Sequence, residues 1–102
     1  MNQYNDKGQR HGYWELYDLE GNIWRKGNYV NNLRDGYWES YWSNGNLNYK
    51  GNFSNGKRHN YWEEYRSNGN LFYKGCYIND KRDGYWEWYD YKCNLQDKQF
   101  HL

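Results

Sequence analysis

The stretch from Gly36 to His59 reads GYWESYWSNGNLNYKGNFSNGKRH, and it sets the pattern for the chain. Aromatic and polar side chains alternate over short runs such as Tyr37-Trp38-Glu39-Ser40-Tyr41. Clusters of Gly and Asn separate these runs. Alternation bounded by turn residues predicts β-strands, and the absence of a 3.6-residue apolar period argues against helices. The phrase [Gly/Asn]-Tyr-Trp-Glu-x-Tyr opens at Gly12, Gly36, Asn60 and Gly84, a constant spacing of 24 residues (36−12 = 60−36 = 84−60). The chain therefore divides into a partial unit 1–11, units 12–35, 36–59 and 60–83, and a C-terminal capping unit 84–102. A fixed period of this length marks a repeat architecture.

The turns predict the register. Asn44-Gly45 supplies two residues that tolerate positive φ, as a two-residue type I′ hairpin demands, so Ser43 is expected to face Asn46. Asn55-Gly56-Lys57-Arg58 reads as a four-residue loop. With these turns Glu39 faces Lys50, Trp38 faces Gly51, Gly51 faces Trp62 and Lys50 faces Glu63. The same partners recur on both sides of each strand. Glu15, Lys26, Glu39, Lys50, Glu63, Lys74, Glu87 and Lys98 then form one charge-alternating ladder, worth about 0.2–1 kcal/mol per facing pair. Trp14, Gly27, Trp38, Gly51, Trp62, Gly75 and Trp86 form a second, in which indoles lie over glycines. The expected fold is all-β, an elongated single-layer antiparallel meander of about four 24-residue hairpins. One face is expected to carry the Trp column with Ile23, Leu47, Leu71, Leu95, Tyr29, Phe53 and Tyr77. The other is expected to carry Tyr13, Tyr37, Tyr61, Tyr85, Tyr17, Tyr41, Tyr65 and Tyr89 with the charged ladder.

Composition agrees with a thin sheet. Hydrophobic residues are 36% of the 102, and aromatics are 24%, with 14 Tyr and 7 Trp. Too little Leu, Ile and Val is present for an ordinary two-layer core, so aromatic lamination is the expected source of stability. There is no proline, so the turns rely on Gly and Asn. The start has no apolar leader and no run reaches the ~20 apolar residues of a membrane helix, which makes the cytoplasm the expected location. Cys76 falls mid-strand, opposite Trp86, and Cys93 in the last turn at the far end of that strand, beyond the ~7 Å that a disulfide spans, so both read as free thiols.

The four phrases Gly-Tyr-Trp-Glu-x-Tyr, Asn-Gly-Asn-Leu, Lys-Gly-Asn-[Tyr/Phe] and Asn-Gly-Lys-Arg-His resemble the MORN repeat (membrane occupation and recognition nexus), and more closely its bacterial, antitoxin-like variant. The resemblance covers Tyr4 to Tyr89. It implies an elongated β-meander with scaffold, dimerisation or partner-binding roles, sometimes phospholipid binding, and in antitoxin-like members the neutralising of a protein. Asn60 departs from the opening glycine, and Leu19-Glu20-Gly21 from Ser-Asn-Gly.

No catalytic constellation stands out. His11 and His59 share a repeat position but lie four strands apart, roughly 19 Å, too far to share an ion. The glutamates face lysines rather than one another. The chain reads as non-enzymatic, with no cofactor. A net charge of +1 gives no strong field toward polyanions. The expected function is a repeat module that binds a protein partner, antitoxin-like or inhibitory, through Trp14, Trp38, Trp62, Trp86, Tyr49 and Tyr73 with the loop cations Arg34, Arg58, Arg82, Lys57 and Lys81. One alternative is an anionic phospholipid or single-stranded nucleic-acid surface engaged by the arginine loops. Another is a structural scaffold that forms a homodimer through the C-terminal unit.

Overall fold

The computed structural model describes residues 1–102, and every element in it is a strand. They are β1 (Gln3–Tyr4), β2 (Arg10–Tyr17), β3 (Ile23–Val30), β4 (Leu33–Tyr41), β5 (Leu47–Ser54), β6 (Lys57–Tyr65), β7 (Leu71–Ile78), β8 (Lys81–Tyr89) and β9 (Leu95–His101). Each pairs antiparallel with its sequence neighbours in one open nine-stranded sheet, ordered β1 through β9. The molecule measures 47 × 35 × 13 Å. All nine strands belong to this one sheet, so there is no second layer.

The mid-strand register is the predicted one. Glu39 faces Lys50 and Trp38 faces Gly51, while Lys50 faces Glu63 and Gly51 faces Trp62. Both kinds of turn differ from expectation: the two-residue type I′ turn lies at 55–56 in place of a four-residue loop, and the 43–45 tip is longer than two residues. At the tip 43–45, the Gly45 N–H donates to the Trp42 carbonyl and the Trp42 N–H to the Asn46 carbonyl. Only Gly45, at φ 91°, is left-handed there. This is a three-residue loop, a type I turn followed by one left-handed residue. The opposite edge carries the two-residue type I′ turns. Asn31-Asn32, Asn55-Gly56 and Asn79-Asp80 all have positive φ, and Ser54 faces Lys57 directly.

Bulges reconcile these turns with the register. Ser40 faces Tyr49 but Tyr41 faces Leu47, so Asn48 is the extra residue. On the other side Phe53 faces Arg58 before Gly51 faces Trp62. That insertion contains Asn60, at φ 70°, in the place of Gly12, Gly36 and Gly84 at φ 80°, 77° and 70°. Asparagine tolerates the left-handed region better than other side-chain-bearing residues, which explains its substitution for the opening glycine. The bulge at Asn48 also corrects the predicted faces. Ile23, Leu47, Leu71 and Leu95 pair with Tyr17, Tyr41, Tyr65 and Tyr89. They therefore share the tyrosine face, not the tryptophan face.

The core is a single aromatic file: Trp14, Tyr29, Trp38, Phe53, Trp62, Tyr77 and Trp86. Trp38 and Trp86 have no exposed surface. Edge-to-face contacts run unbroken from Tyr4 through Trp14, Tyr29, Trp38, Phe53, Trp62 and Tyr77 to Trp86, with centroids 4.8–6.4 Å apart. Such pairs contribute about 0.5–1.5 kcal/mol each beyond area burial. Each indole leans onto the preceding strand. The rings of Trp38, Trp62 and Trp86 occupy the space where a Cβ on Gly27, Gly51 and Gly75 would stand. Nε1 of Trp38 and Trp86 donates to the carbonyls of Asn28 and Cys76 at 2.9 and 3.0 Å.

Gly75→Ala is expected to destabilise the sheet by about 1–3 kcal/mol, because a methyl group would overlap the Trp86 indole. In thermal denaturation that is a fall of about 4–8 °C per kcal/mol for a chain of this size. An unchanged melting temperature would show that the indole does not rest on the glycine.

Candidate binding surfaces

The tryptophan face is closed by the chain itself. Trp14, Trp38, Trp62 and Trp86 are all 5% exposed or less, so a partner meets the groups around them. Tyr49 stacks on Trp62 at 4.8 Å with 17° between planes, and Tyr73 lies 5.7 Å from Trp86. The loop arginines fold inward over the aromatic file. Arg34 sits 4.1 Å above Phe53, Arg58 4.2 Å above Tyr77, and Arg82 5.4 Å above Trp86. Arg10, which falls at the same repeat position, lies over Trp14 and Tyr29. Arg34 also donates to the Tyr49 hydroxyl at 3.2 Å, and Arg58 to the Tyr77 hydroxyl at 3.0 Å. Each cation gains a ring quadrupole and shields its indole from water. Lys57 and Lys81 remain exposed beside the type I′ turns.

One shallow groove of about 320 Å³ breaks this roof, lined by Arg25, Arg34, Arg58, Trp62 and Glu64 among others. Trp62 is the one member of its column whose buried Nε1 has no partner. The parallel stacking of Tyr49 turns this indole away from the pose of Trp38 and Trp86. Burial raises the Glu64 carboxyl above its usual range, against the pull of Arg58. Arg58 itself pairs with Asp80 at 2.9 Å and lowers that carboxyl.

The opposite face is open. Tyr13, Tyr17, Tyr37, Tyr61 and Tyr85 are 39–66% exposed. The Glu/Lys ladder runs between them in the expected register, but only Lys50–Glu63 at 3.1 Å and Lys74–Glu87 at 3.8 Å close as ion pairs. Tyrosine hydroxyls add hydrogen bonds to Glu15, Glu39 and Glu63, and Tyr65 shares Glu63 Oε1 with Lys50. Tyr13 and Tyr17 both donate to Glu15, Tyr41 donates to Glu39, and Tyr61 and Tyr65 both donate to Glu63. Each phenol lies two residues from its glutamate on the same strand, hence on the same face. Burial pushes Glu63 up, but the hydrogen bonds from Tyr61, Lys50 and Tyr65 outweigh it and hold the carboxyl low. The tyrosines shift the other way. Burial, then the bond to Glu39, pushes Tyr41 up to about 12, and burial, then the bond to Glu63, raises Tyr61.

A second groove, about 520 Å³, opens between the tips of the first two hairpins and is walled by Tyr17, Ile23, Trp24, Tyr41 and Trp42. Later tips are latched together. Trp42 Nε1 donates to the Tyr65 carbonyl at 3.2 Å, and Arg66 Nη2 to the Tyr89 carbonyl at 3.0 Å. Asn44 and Asn46 donate to the Ser67 carbonyl, and Asn70 to that of Tyr91. In the first hairpin the latch position is Asp18, whose side chain has no N–H to give. Its Oδ1 instead accepts the backbone N–H groups of Glu20 and Asn22. These tip residues were absent from the sequence-derived contact set. The signal for them was the variation of one repeat position among Asp18, Trp42, Arg66 and Asp90.

The pattern of the MORN repeat variant matches residues 10–31, 34–55 and 58–79. The chain belongs to this family. Each matched MORN segment begins at a roofing arginine and ends on Asn31, Asn55 or Asn79, the first residue of a type I′ turn. The MORN unit is thus one hairpin with its arginine, and the three-residue tip lies at its centre. MORN repeats are binding modules rather than catalytic ones. A comparison with curated proteins returned no match.

Because the folded state holds these phenols above their ordinary value of 10.0, their contribution to stability is complete below pH 10. It is lost as pH rises from 10 toward about 12, where the unfolded chain ionises first. Alkaline titration followed by tyrosinate absorbance is expected to show delayed phenols, with cooperative unfolding above pH 10. Tyrosines that all titrate together at 10 in the folded protein would contradict the Tyr–Glu bonding.

Proposed function

We propose that this MORN-variant chain is a non-catalytic module that binds another protein and acts by covering it, as an inhibitor or antitoxin does. The observation that carries this reading is the open face: rows of half-exposed tyrosines, among which Tyr13, Tyr17 and Tyr61 have their hydroxyls held by glutamates. Tyr provides large contact area at low entropic cost and is enriched among binding hot spots. Here the hydroxyl–carboxylate bonds fix ring orientation before any partner arrives, which reduces the ordering cost of association. A sheet with this rigidity acts by occlusion rather than by motion. Affinity capture from the native host with the wild-type chain is expected to retain one stoichiometric protein. The variant Tyr37→Ala/Tyr61→Ala is expected to lose it by tenfold or more while still folding cooperatively, at a melting temperature lowered by the loss of the Tyr61–Glu63 bond. Retention of lipid or RNA alone would overturn this reading.

A second reading concerns self-association. Strand β9 is exposed along Leu95–Phe100, and it has a pairing partner on one side only. An unpaired strand edge is a template for another strand. Two copies joined there would form a continuous sheet and a scaffold. Sedimentation is then expected to show a two-chain species that disappears when 84–102 is removed, whereas a monomer at high concentration would exclude it.

A further inference from the structure

We infer that the groove between the first two hairpin tips is a receptor for an arginine side chain presented by the protein partner. This inference rests on the protein-binding reading above. The chain's own later tips show what fills such a slot. At the second junction the planar donor of Trp42 enters the slot, and at the third the planar donor of Arg66 does. In each case an N–H reaches the carbonyl of the last residue of the next hairpin's first strand. The Arg66 guanidinium also lies 4.2 Å over the ring of Phe72.

The first junction has the slot without the filler. Asp18 stands where Trp42 and Arg66 stand. The carbonyl of Tyr41, equivalent to those of Tyr65 and Tyr89, receives no side-chain donor, and the carbonyl of Ser43, equivalent to those of Ser67 and Tyr91, receives no hydrogen bond at all. Trp24 occupies the repeat position of Phe72 and is 43% exposed. It lines the groove, whereas Arg25, which lies 4.0 Å over its ring, does not. The groove thus offers an aromatic wall, two free carbonyl acceptors and a carboxylate whose Oδ2 carries no bond.

Charge selects the occupant. An indole would satisfy a carbonyl and the apolar wall but leave Asp18 unanswered. An ammonium would answer Asp18 but could not stack flat on an indole. A guanidinium is planar, stacks on aromatic faces and carries five donors. It reproduces the contacts of Arg66 and adds an ion pair that Arg66 lacks. The partner element is therefore an exposed arginine on a loop or terminus narrow enough to enter between two hairpin tips.

The test uses the full chain and N-acetyl-L-arginine amide as probe, with N-acetyl-L-lysine amide as the comparison. The indole N–H resonances of Trp24 and Trp42 are followed on titration. The expected result is saturable shifts with arginine at about a millimolar, the range of a single weakly held group, and at least tenfold weaker binding of lysine. Asp18→Arg is expected to fill the slot from within and abolish the shifts. Asp18→Asn keeps the oxygen that caps the turn and removes the charge, so it should fold as the parent does and weaken the probe severalfold. Absence of saturable shifts, equal response to lysine, or unchanged binding in both variants would overturn the assignment. The probe needs no partner, so its failure is distinct from failure of the protein-binding reading. If host capture succeeds and Asp18→Arg retains the same protein, the groove is excluded while the module's function stands.

Discussion

A single-layer sheet has no second layer to cover it, so it must close one face with its own side chains. Here the closure rests on an indole lying over a glycine on the preceding strand. Gly27, Gly51 and Gly75 matter for what they lack. A Cβ at any of them would meet the ring of Trp38, Trp62 or Trp86. Once the indoles lie flat, Tyr29, Phe53 and Tyr77 can approach edge-on, and the arginines can fold over both. The order is hierarchical. Absence of a side chain seats a ring, the ring orders its neighbours, and the cations exclude water last.

This hierarchy explains why the two faces differ so much in use. The tryptophan face consumes its own recognition groups. Arg34 and Arg58 lie half-buried against rings in the fold, while Arg82, although it sits over Trp86, stays exposed with Lys57 and Lys81. The tyrosine face needs no such roof, since each phenol is polar at its tip and its glutamate lies two residues away. The aromatic content that looks like one property in the composition is thus divided between structure and surface by strand parity.

The mid-strand pairings were legible because two independent columns, charge and indole–glycine, demanded the same register. The turns were not. Asn-Gly satisfies either a type I′ pair or the end of a three-residue loop, and a bulge restores the register in both cases. Changing both turn types therefore leaves Glu39 opposite Lys50 and cannot be detected from facing residues. The same bulge moved Leu47 and its equivalents to the other face, because one inserted residue inverts side-chain parity. The burial of the tryptophans was hidden for another reason. Their cover consists of arginines and tyrosines, which a hydrophobic pattern counts as surface. At the tips, the change from Trp42 and Arg66 to Asp18 was visible, but its meaning required knowing that this position latches one hairpin to the next.

The uniform lean of the indoles gives the array a polarity that its near-identical units conceal. Every junction has a plug on one strand and a socket on the strand before it. Shortening the array from one terminus leaves an empty socket, and shortening it from the other leaves a plug without a seat. The two ends are closed by different chemistry accordingly. Trp14, with Gln3 at the socket position of β1, is held by the Tyr4 ring and the Gln3 carbonyl, whereas β9 offers Gln99 where a socket would be. Inserting or deleting whole units in the middle preserves every plug and socket, so such a sheet can change length by units while its ends stay the same.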